Sequence, residues 1–164
     1  MLTEQLFDFL AASPSCYHAV RAISDRLITD GYTQLREQDA WTLVPGGKYF
    51  TARNGSSLIA FRVPEGAPAG FLMAAAHTDS PTFKIKHNPE KKAGPYVQLT
   101  TEKYGGMLMN TWFDRPLSIA GRVITAKDGR LQTVLVDLDR DLAVIPSVAI
   151  HMNRAANDGF KLMA

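Results

Sequence analysis

The segment FLMAAAHTDSP, residues 71–81, is the stretch that decides the fold class of this chain. Six apolar or small residues run without interruption into His77, Asp79 follows two positions later, and Pro81 comes just after. A continuous apolar run is typical of a strand covered on both faces, as in the centre of an α/β sheet, whereas a half-exposed strand alternates. Open α/β sheets bind ligands at the C-terminal ends of such strands. The sequence therefore predicts an α/β fold with His77 and Asp79 at a ligand-binding edge.

Two amphipathic helices and a hairpin are predicted before this strand. The first helix has Thr3 as its expected cap and Pro14 closing its apolar pattern, and the second ends at Gly31. The extended runs KYFTAR and SSLIAFRV then flank Asn54 and Gly55, which is the sequence signal of a tight hairpin turn.

A β-rich region is predicted after the strand. It contains the runs YVQLTTEKY, SIAGRVITA and RLQTVLVDL, the last two joined by a second hairpin signal at Asp128 and Gly129. The apolar run LAVIPSVAI then leads to His151. We expect two units, residues 1–88 and a β subdomain over residues 89–164.

Composition excludes several classes of protein. The chain has 164 residues, 46% hydrophobic and 21% charged, which is ordinary for a globular protein and excludes disordered and collagen-like classes. Its net charge is +2 without long blocks of like charge, so we expect no nucleic-acid partner and no membrane surface. The single Cys16 and the absence of a signal-peptide pattern favour a cytoplasmic location.

The residue types of His77 and Asp79 suit a metal site. A neutral imidazole is a common zinc ligand, and a nearby carboxylate often holds its other ring nitrogen. Residues two apart in an extended segment face the same side, so both side chains are expected to open into one pocket. The simpler alternative is that His77 ends a strand and Asp79 caps the next turn. The three-residue pattern taken alone favours that alternative.

A series of further motifs favours the metal site over the purely structural interpretation of His77 and Asp79. The segments FLAASPSCYHAV, GGKYFTARNGSSLIAFRV, AAAHTDSP, YGG, WFDRPLSIAGRV and VIPSVAIHMNRAAND follow one another along the chain. Together they span nearly all of it, and in this order they resemble the aspartyl aminopeptidase family of co-catalytic metallopeptidases. An ordered series of distinct motifs is far more specific than any one of them.

The resemblance implies a metallo-aminopeptidase that uses two divalent ions, usually zinc, to remove N-terminal acidic residues from peptide substrates. In such chemistry the ions polarise the scissile carbonyl and supply a metal-bound hydroxide, while a carboxylate moves the proton. His77 matches the family's first metal-binding histidine, and Asp79 matches the catalytic aspartate that orients it. The implied fold is N-terminal helices and part of a mixed α/β peptidase sheet, followed by a β-rich inserted dimerisation subdomain that builds homo-oligomers.

His151 matches a family histidine for which two roles compete. It is either a metal ligand or a group that reaches the active site of a neighbouring subunit and contacts the substrate. We favour the second role, in which the ring donates a hydrogen bond to the tetrahedral oxyanion. A purely structural interpretation is a histidine that closes a buried strand beside Asn153.

Four other residues are weaker candidates for the site. We expect His18 to cap the second helix or to line the entrance to the pocket, with the structural role favoured. His87, within KIKHNPEKK, is expected to be a solvated loop residue. Asp114 and Arg115 match a family motif, and we expect an ion pair that fixes the β subdomain or its dimer contact.

The sequence also departs from the family pattern. Pro116 stands where the family typically has aspartate, no Glu-Glu pair occurs, and the family's Arg-Leu-Asp-Asn segment is absent. A catalytic zinc ion needs about three protein ligands, so His77 alone is expected to bind zinc weakly. We therefore expect the N-terminal portion of a longer enzyme, inactive by itself. The alternative is a non-catalytic, truncated assembly module of the same family.

Overall fold

The computed structural model describes residues 1–156 and 158 and has an α/β fold, as predicted. Its elements are, in chain order, α1 (Leu2–Ala11), α2 (Cys16–Thr29), β1 (Thr33–Leu35), β2 (Lys48–Arg53), β3 (Ser57–Arg62), β4 (Thr82–Ala93), β5 (Tyr96–Tyr104), a 3₁₀-helix (Met109–Trp112), β6 (Ala120–Lys127) and β7 (Arg130–Asp137). The described strands form one mixed three-stranded sheet and two antiparallel hairpins. Neither α1 nor α2, nor the 3₁₀-helix, has the length and hydrophobicity of a membrane-spanning helix.

The helix ends test the predicted caps. Helix α1 has Met1 at its N-cap, so Thr3 lies inside the helix and the predicted Thr3 cap is wrong. Helix α2 ends as predicted, with Gly31 at a φ of 82°. The Gly31 N–H donates to the carbonyl of Ile28, and the next N–H donates to the carbonyl of Leu27. This pattern is a Schellman motif, which favours glycine because of its positive φ.

The buried core lies where α2 packs against the three-stranded sheet. Strand β1 pairs in parallel with β2, which pairs antiparallel with β3. The Phe50 side chain on β2 is completely buried, and Ala19 and Val20 of α2 are buried with it. The predicted hairpin between β2 and β3 is confirmed, and its turn has positive φ values at Asn54 and Gly55.

The two hairpins of the β-rich region are long and largely exposed. Strands β6 and β7 pair around Asp128 and Gly129, both at positive φ, as predicted. Strands β4 and β5 pair with an irregularity between Ile85 and Glu90. His87 lies in β4 at this irregularity, so the predicted loop is wrong there, although the residue is exposed. Strand β4 also crosses the predicted unit boundary at residue 88, and the division into two units stays a prediction.

Two predicted strands are not formed among the described residues. Residues 71–76 have no regular secondary structure, and the side chains of Phe71, Leu72 and Met73 are at least 85% exposed. A strand needs a neighbour to bond its backbone and cover its side chains, and no described strand pairs with this segment. The apolar run before His151 likewise makes only isolated bridges, at Ala143 and Ile145. The interpretation of His151 as closing a buried strand is therefore wrong.

Arg122 of β6 connects the β-rich region to the first sheet. Its guanidinium donates to the backbone carbonyl of Asn54 at 2.8 Å and to the side-chain oxygen of Asn54 at 3.0 Å. It also lies over the ring of Tyr17 in α2, 4.2 Å from the ring centroid. One planar cation on β6 therefore contacts both α2 and the turn between β2 and β3, which suits arginine because it combines several donors with a flat face.

Replacing Arg122 should loosen this connection. Arg122→Ala removes two hydrogen bonds and a cation–π contact, so we expect the free energy of unfolding to fall by about 1–2 kcal/mol. Arg122→Lys keeps the charge without the planar face that lies over Tyr17 and should recover only part of the loss. Urea unfolding measures both variants, with Arg130→Ala, at the exposed start of β7, as the matched control. Equal effects of Arg122→Ala and Arg130→Ala would contradict this account.

Candidate metal-binding site around His77

The candidate site lies on the segment between β3 and β4. The Thr78 hydroxyl donates to the backbone carbonyl of Ser56 at 2.7 Å, which attaches this segment to the turn between β2 and β3. Strand β4 begins at Thr82, only three residues after Asp79. The chain is therefore fixed at two points just after His77, at Thr78 and at the start of β4.

His77 and Asp79 contact each other directly. Nδ1 of His77 lies 2.6 Å from the backbone oxygen of Asp79 and 3.2 Å from its Oδ1. Both neighbours of Nδ1 are acceptors, so Nδ1 carries the proton and Nε2 of the neutral ring has a free lone pair. The His77 side chain is 81% exposed, which leaves Nε2 accessible. This is the arrangement that a histidine metal ligand requires.

Tyr104 completes a chain of three side chains. At the end of β5, its hydroxyl donates to Oδ2 of Asp79. This bond is the main cause of the lowered pKa of the Asp79 carboxyl, with the Asp79 backbone N–H contributing next. The same bond, and then the negative charge of Asp79, raise the pKa of Tyr104. The carboxylate is therefore kept ionised and the phenol protonated.

The sequence motifs alone give Tyr104 no role in the site. Tyr104 belongs to both the YGG motif and the predicted strand β5, but the sequence does not predict β4, the strand that pairs with it. The feature that would have identified Tyr104 is the register of the hairpin formed by β4 and β5, in which Tyr104 pairs with Thr82. A correct prediction of β4 places Tyr104 beside the segment that carries Asp79.

Two cavities bear on the choice of site. The one at His77 has a volume of about 160 Å³ and is lined by His77, Asp79, Ser80, Pro81, Tyr104 and Gly105. A larger cavity of about 280 Å³ lies between α1 and α2, and its lining contains no histidine or cysteine. The smaller cavity is the better candidate for a metal site, because it is lined by a histidine whose Nε2 is free to bind a metal.

The structure does not bring His151 to this cavity. His151 is exposed in a turn that follows the bridge at Ile145, and it is not among the residues that line the His77 cavity. Within residues 1–156 and 158, no group of three or more His, Cys, Asp or Glu side chains is placed to hold a metal ion. The described residues thus supply one ligand with its orienting carboxylate.

His18 has a structural contact. Its Nδ1 lies 2.8 Å from the hydroxyl of Ser15, and that hydroxyl caps α2 by accepting from the His18 backbone N–H. His18 is half-buried and is not among the residues that line the His77 cavity. The N-cap of α2 is thus Ser15, so the predicted His18 cap is wrong, and His18 lies in the first turn of the helix with its ring against the capping hydroxyl.

Asp114 and Arg115 do not pair with each other in the described part of the chain. Asp114 instead accepts from the backbone N–H of Ser147 at 2.9 Å and from the Ser147 hydroxyl, while Arg115 donates to the carbonyl of Thr111. The hydroxyl bond and then the N–H bond from Ser147 lower the pKa of Asp114. Asp114 therefore fastens the segment before His151 to the chain near β6.

Comparison with known proteins places the chain in a family. A family model described as "Aminopeptidase I zinc metalloprotease (M18)" matches residues 9–164. The chain belongs to the M18 family. A curated relative, "Probable M18 family aminopeptidase 2" of Pseudomonas paraeruginosa, is 48% identical over 165 residues. That match covers 99% of this chain and 38% of the relative, so the chain spans well under half the length of the relative.

Solved M18 structures share the fold. The structure of Chaetomium thermophilum mApe1 has a TM-score of 0.85 and 41% identity, covering 92% of this chain and 36% of that one. The mApe1 dodecamer from S. cerevisiae has a TM-score of 0.79 and 30% identity, covering 92% and 36%. The resemblance to a metallopeptidase family and the α/β class are thereby confirmed.

The contact between Asp114 and Ser147 predicts a pH dependence. Ser147→Ala removes the hydroxyl that contributes most to the lowered pKa, so the pKa of Asp114 should rise towards its usual value. A carboxylate with a lowered folded-state pKa stabilises the fold above its unfolded pKa, about 3.9, and loses that contribution as pH falls through the folded-state pKa. The difference in unfolding free energy between wild type and Ser147→Ala should therefore shrink below about pH 4.

Two measurements check this prediction. The carboxyl ¹³C shift of Asp114, followed against pH, reports its pKa in each variant, and urea unfolding at several pH values reports stability. Ser147→Thr keeps a hydroxyl and serves as the control. An unchanged Asp114 titration in Ser147→Ala would contradict the assignment.

Proposed function

We propose that this chain is the N-terminal portion of a metal-dependent aminopeptidase that removes N-terminal residues, acidic ones in particular, from peptides. The observation that carries the proposal is the contact between His77 and Asp79, which leaves Nε2 of His77 available to a metal. It occurs in a chain that matches the M18 family over almost its whole length. Zinc is the metal in the family's description, and imidazole nitrogen is one of its usual ligands.

One histidine is one ligand of a metal centre. Zinc in enzymes is held by about three protein ligands, and no such group exists among residues 1–156 and 158. The proposal is therefore that His77 contributes one ligand of a two-ion site, and that the other ligands come from protein outside the described residues.

His77 and Asp79 have separate roles in this proposal. Nε2 of His77 binds the ion, while its Nδ1–H donates to the backbone oxygen of Asp79 and faces the Asp79 carboxylate. These contacts fix the orientation of the ring and make it a stronger donor to the metal. Two zinc ions, when bound, supply polarisation of the scissile carbonyl and activation of a water molecule. Asp79 also stabilises the positive charge that metal binding induces on the imidazole.

His151 is proposed to act on the substrate of a neighbouring subunit, and a role as metal ligand stays the alternative. Its exposed position in a turn, away from the His77 cavity, leaves the ring accessible to another protein surface. An imidazole N–H placed there is able to stabilise an oxyanion. The dodecamer of the yeast relative supports homo-oligomerisation.

A non-catalytic assembly module is the second candidate function. It is favoured by the absence, among the described residues, of a complete group of metal ligands. In this case the hairpins of the β-rich region associate with other copies while the His77 pair has no metal. The two candidates differ in whether the protein releases N-terminal residues from peptides at all.

Replacing His77 tests the proposed enzyme. Using the product of the complete reading frame that contains this chain, with added zinc, we expect His77→Ala to abolish release of N-terminal residues, because a metal ligand is lost. Asp79→Asn should reduce activity or metal affinity by about 10–100-fold. Release is measured from peptides that begin with Asp, Glu, Leu or Ala, and faster release of Asp and Glu is expected.

The matched control is His87→Ala, which removes an exposed histidine from β4 and should leave activity unchanged. Wild-type turnover by a zinc-saturated His77→Ala protein would overturn the metal-binding role. No release from any of the four peptides by the wild-type product, together with stable oligomers, would favour the assembly module.

The 164-residue chain by itself should bind zinc weakly. Isothermal titration is expected to show a weak interaction that disappears in His77→Ala and persists in His87→Ala, because only one well-placed ligand is present among the described residues. Tight, stoichiometric binding would contradict the single-ligand account.

A further inference from the structure

We propose that Tyr104 is a positioning residue for the candidate metal ligand. Its hydroxyl holds the Asp79 carboxylate in the orientation that adds to the backbone oxygen of Asp79 in favouring the proton of His77 on Nδ1, which leaves Nε2 free. This inference rests on the proposed metal-binding role of His77, and it adds a residue from the β-rich hairpin to the site.

The carboxylate of Asp79 uses its two oxygens in different directions. Oδ1 lies 3.2 Å from Nδ1 of His77, and Oδ2 accepts from the Tyr104 hydroxyl. A carboxylate that accepts from Tyr104 at one oxygen and lies beside the His77 ring at the other has restricted rotation about its terminal torsion. The position of the Tyr104 hydroxyl therefore influences the orientation of the His77 ring, because both contact the same planar carboxylate.

Tyr104 itself is held by the base of the hairpin formed by β4 and β5. It is the cross-strand partner of Thr82, the first residue of β4. Directly after it, Gly105 has a φ of 75°, and a Cβ at that position would lie 3.5 Å from Pro81. The chain thus turns back closely against Pro81, two residues after Asp79. The pairing of β4 with β5 therefore fixes the backbone of Tyr104 at a position from which its phenol reaches Asp79.

Loss of the phenol hydroxyl has a definite chemical consequence. The Asp79 carboxylate is 40% exposed, so without Tyr104 it is free to turn towards water. The Nδ1 proton of His77 is then held by the backbone oxygen of Asp79 alone, 2.6 Å away, so we expect a larger share of the neutral ring to carry its proton on Nε2. A protonated Nε2 has no lone pair for a metal. The positioning role therefore predicts a change in the tautomer of His77 before any metal is added.

The first test is ¹H–¹⁵N NMR of the imidazole rings in the metal-free, 164-residue chain. At about pH 8 histidine is neutral, and the ¹⁵N shifts distinguish the protonated ring nitrogen from the other one. We expect the Nδ1–H form of His77 in the wild type and a shift towards the Nε2–H form in Tyr104→Phe. The control is Tyr96→Phe, which removes an exposed hydroxyl from the other end of β5 and should leave the His77 signals unchanged.

The second test is zinc titration of the same variants. Tyr104→Phe should weaken the His77-dependent zinc affinity by about 3- to 10-fold, which is less than the 10–100-fold typical of losing an orienting carboxylate itself. Tyr96→Phe should bind like the wild type. Urea unfolding of both variants separates this effect from a loss of stability, because a merely structural tyrosine changes unfolding without changing the tautomer.

The outcomes distinguish this inference from the proposed function. An unchanged His77 tautomer in Tyr104→Phe would overturn the positioning role, even if His77→Ala abolishes activity. A changed tautomer together with weakened zinc binding would support it. A changed tautomer in a protein whose peptidase activity does not need His77 would leave the coupling of Tyr104 to His77 standing and overturn the proposed function instead.

Discussion

The tight turn at residues 54–56 is the constraint on which the rest of the arrangement depends. It accepts hydrogen bonds from two distant parts of the chain, since Thr78 donates to the carbonyl of Ser56 and Arg122 donates to Asn54. Its backbone follows from local chemistry, because Asn-Gly accepts the positive φ values that such a turn needs. One local feature therefore determines where the candidate site and the last hairpin lie relative to the buried core.

The candidate site depends on a carboxylate that is exposed but fully engaged. The Asp79 carboxylate accepts from the Tyr104 hydroxyl and from its own backbone N–H, which do most to lower its pKa, and its Oδ1 lies 3.2 Å from Nδ1 of His77. Water competes with each bond at the surface, so each contributes modestly to stability. The value of the arrangement lies in orientation, because it decides which nitrogen of the imidazole faces outward. A surface that covers this cavity would strengthen the same contacts by excluding water.

The sequence by itself determined the elements that short-range chemistry specifies. Gly31 ends α2, Asn54 and Gly55 turn the first hairpin, and Asp128 and Gly129 turn the last one, because each position needs a backbone conformation that few residues adopt. The ordered motifs determined the family. The spacing of two residues between His77 and Asp79 likewise placed both in one cavity, since that contact spans only two positions.

Tertiary structure decided everything that depends on a distant partner. Residues 71–76 have the composition of a buried strand, but a strand forms only where another strand bonds to it, and composition does not reveal whether that partner is present. The pairing of Asp114 with Ser147 spans 33 residues and replaced the expected local ion pair. The contact of Tyr104 with Asp79 spans 25 residues and follows from the register of β4 with β5. Local propensity fixes turns and helix ends, whereas hydrogen-bond partners far apart in sequence are fixed only when the strands have paired.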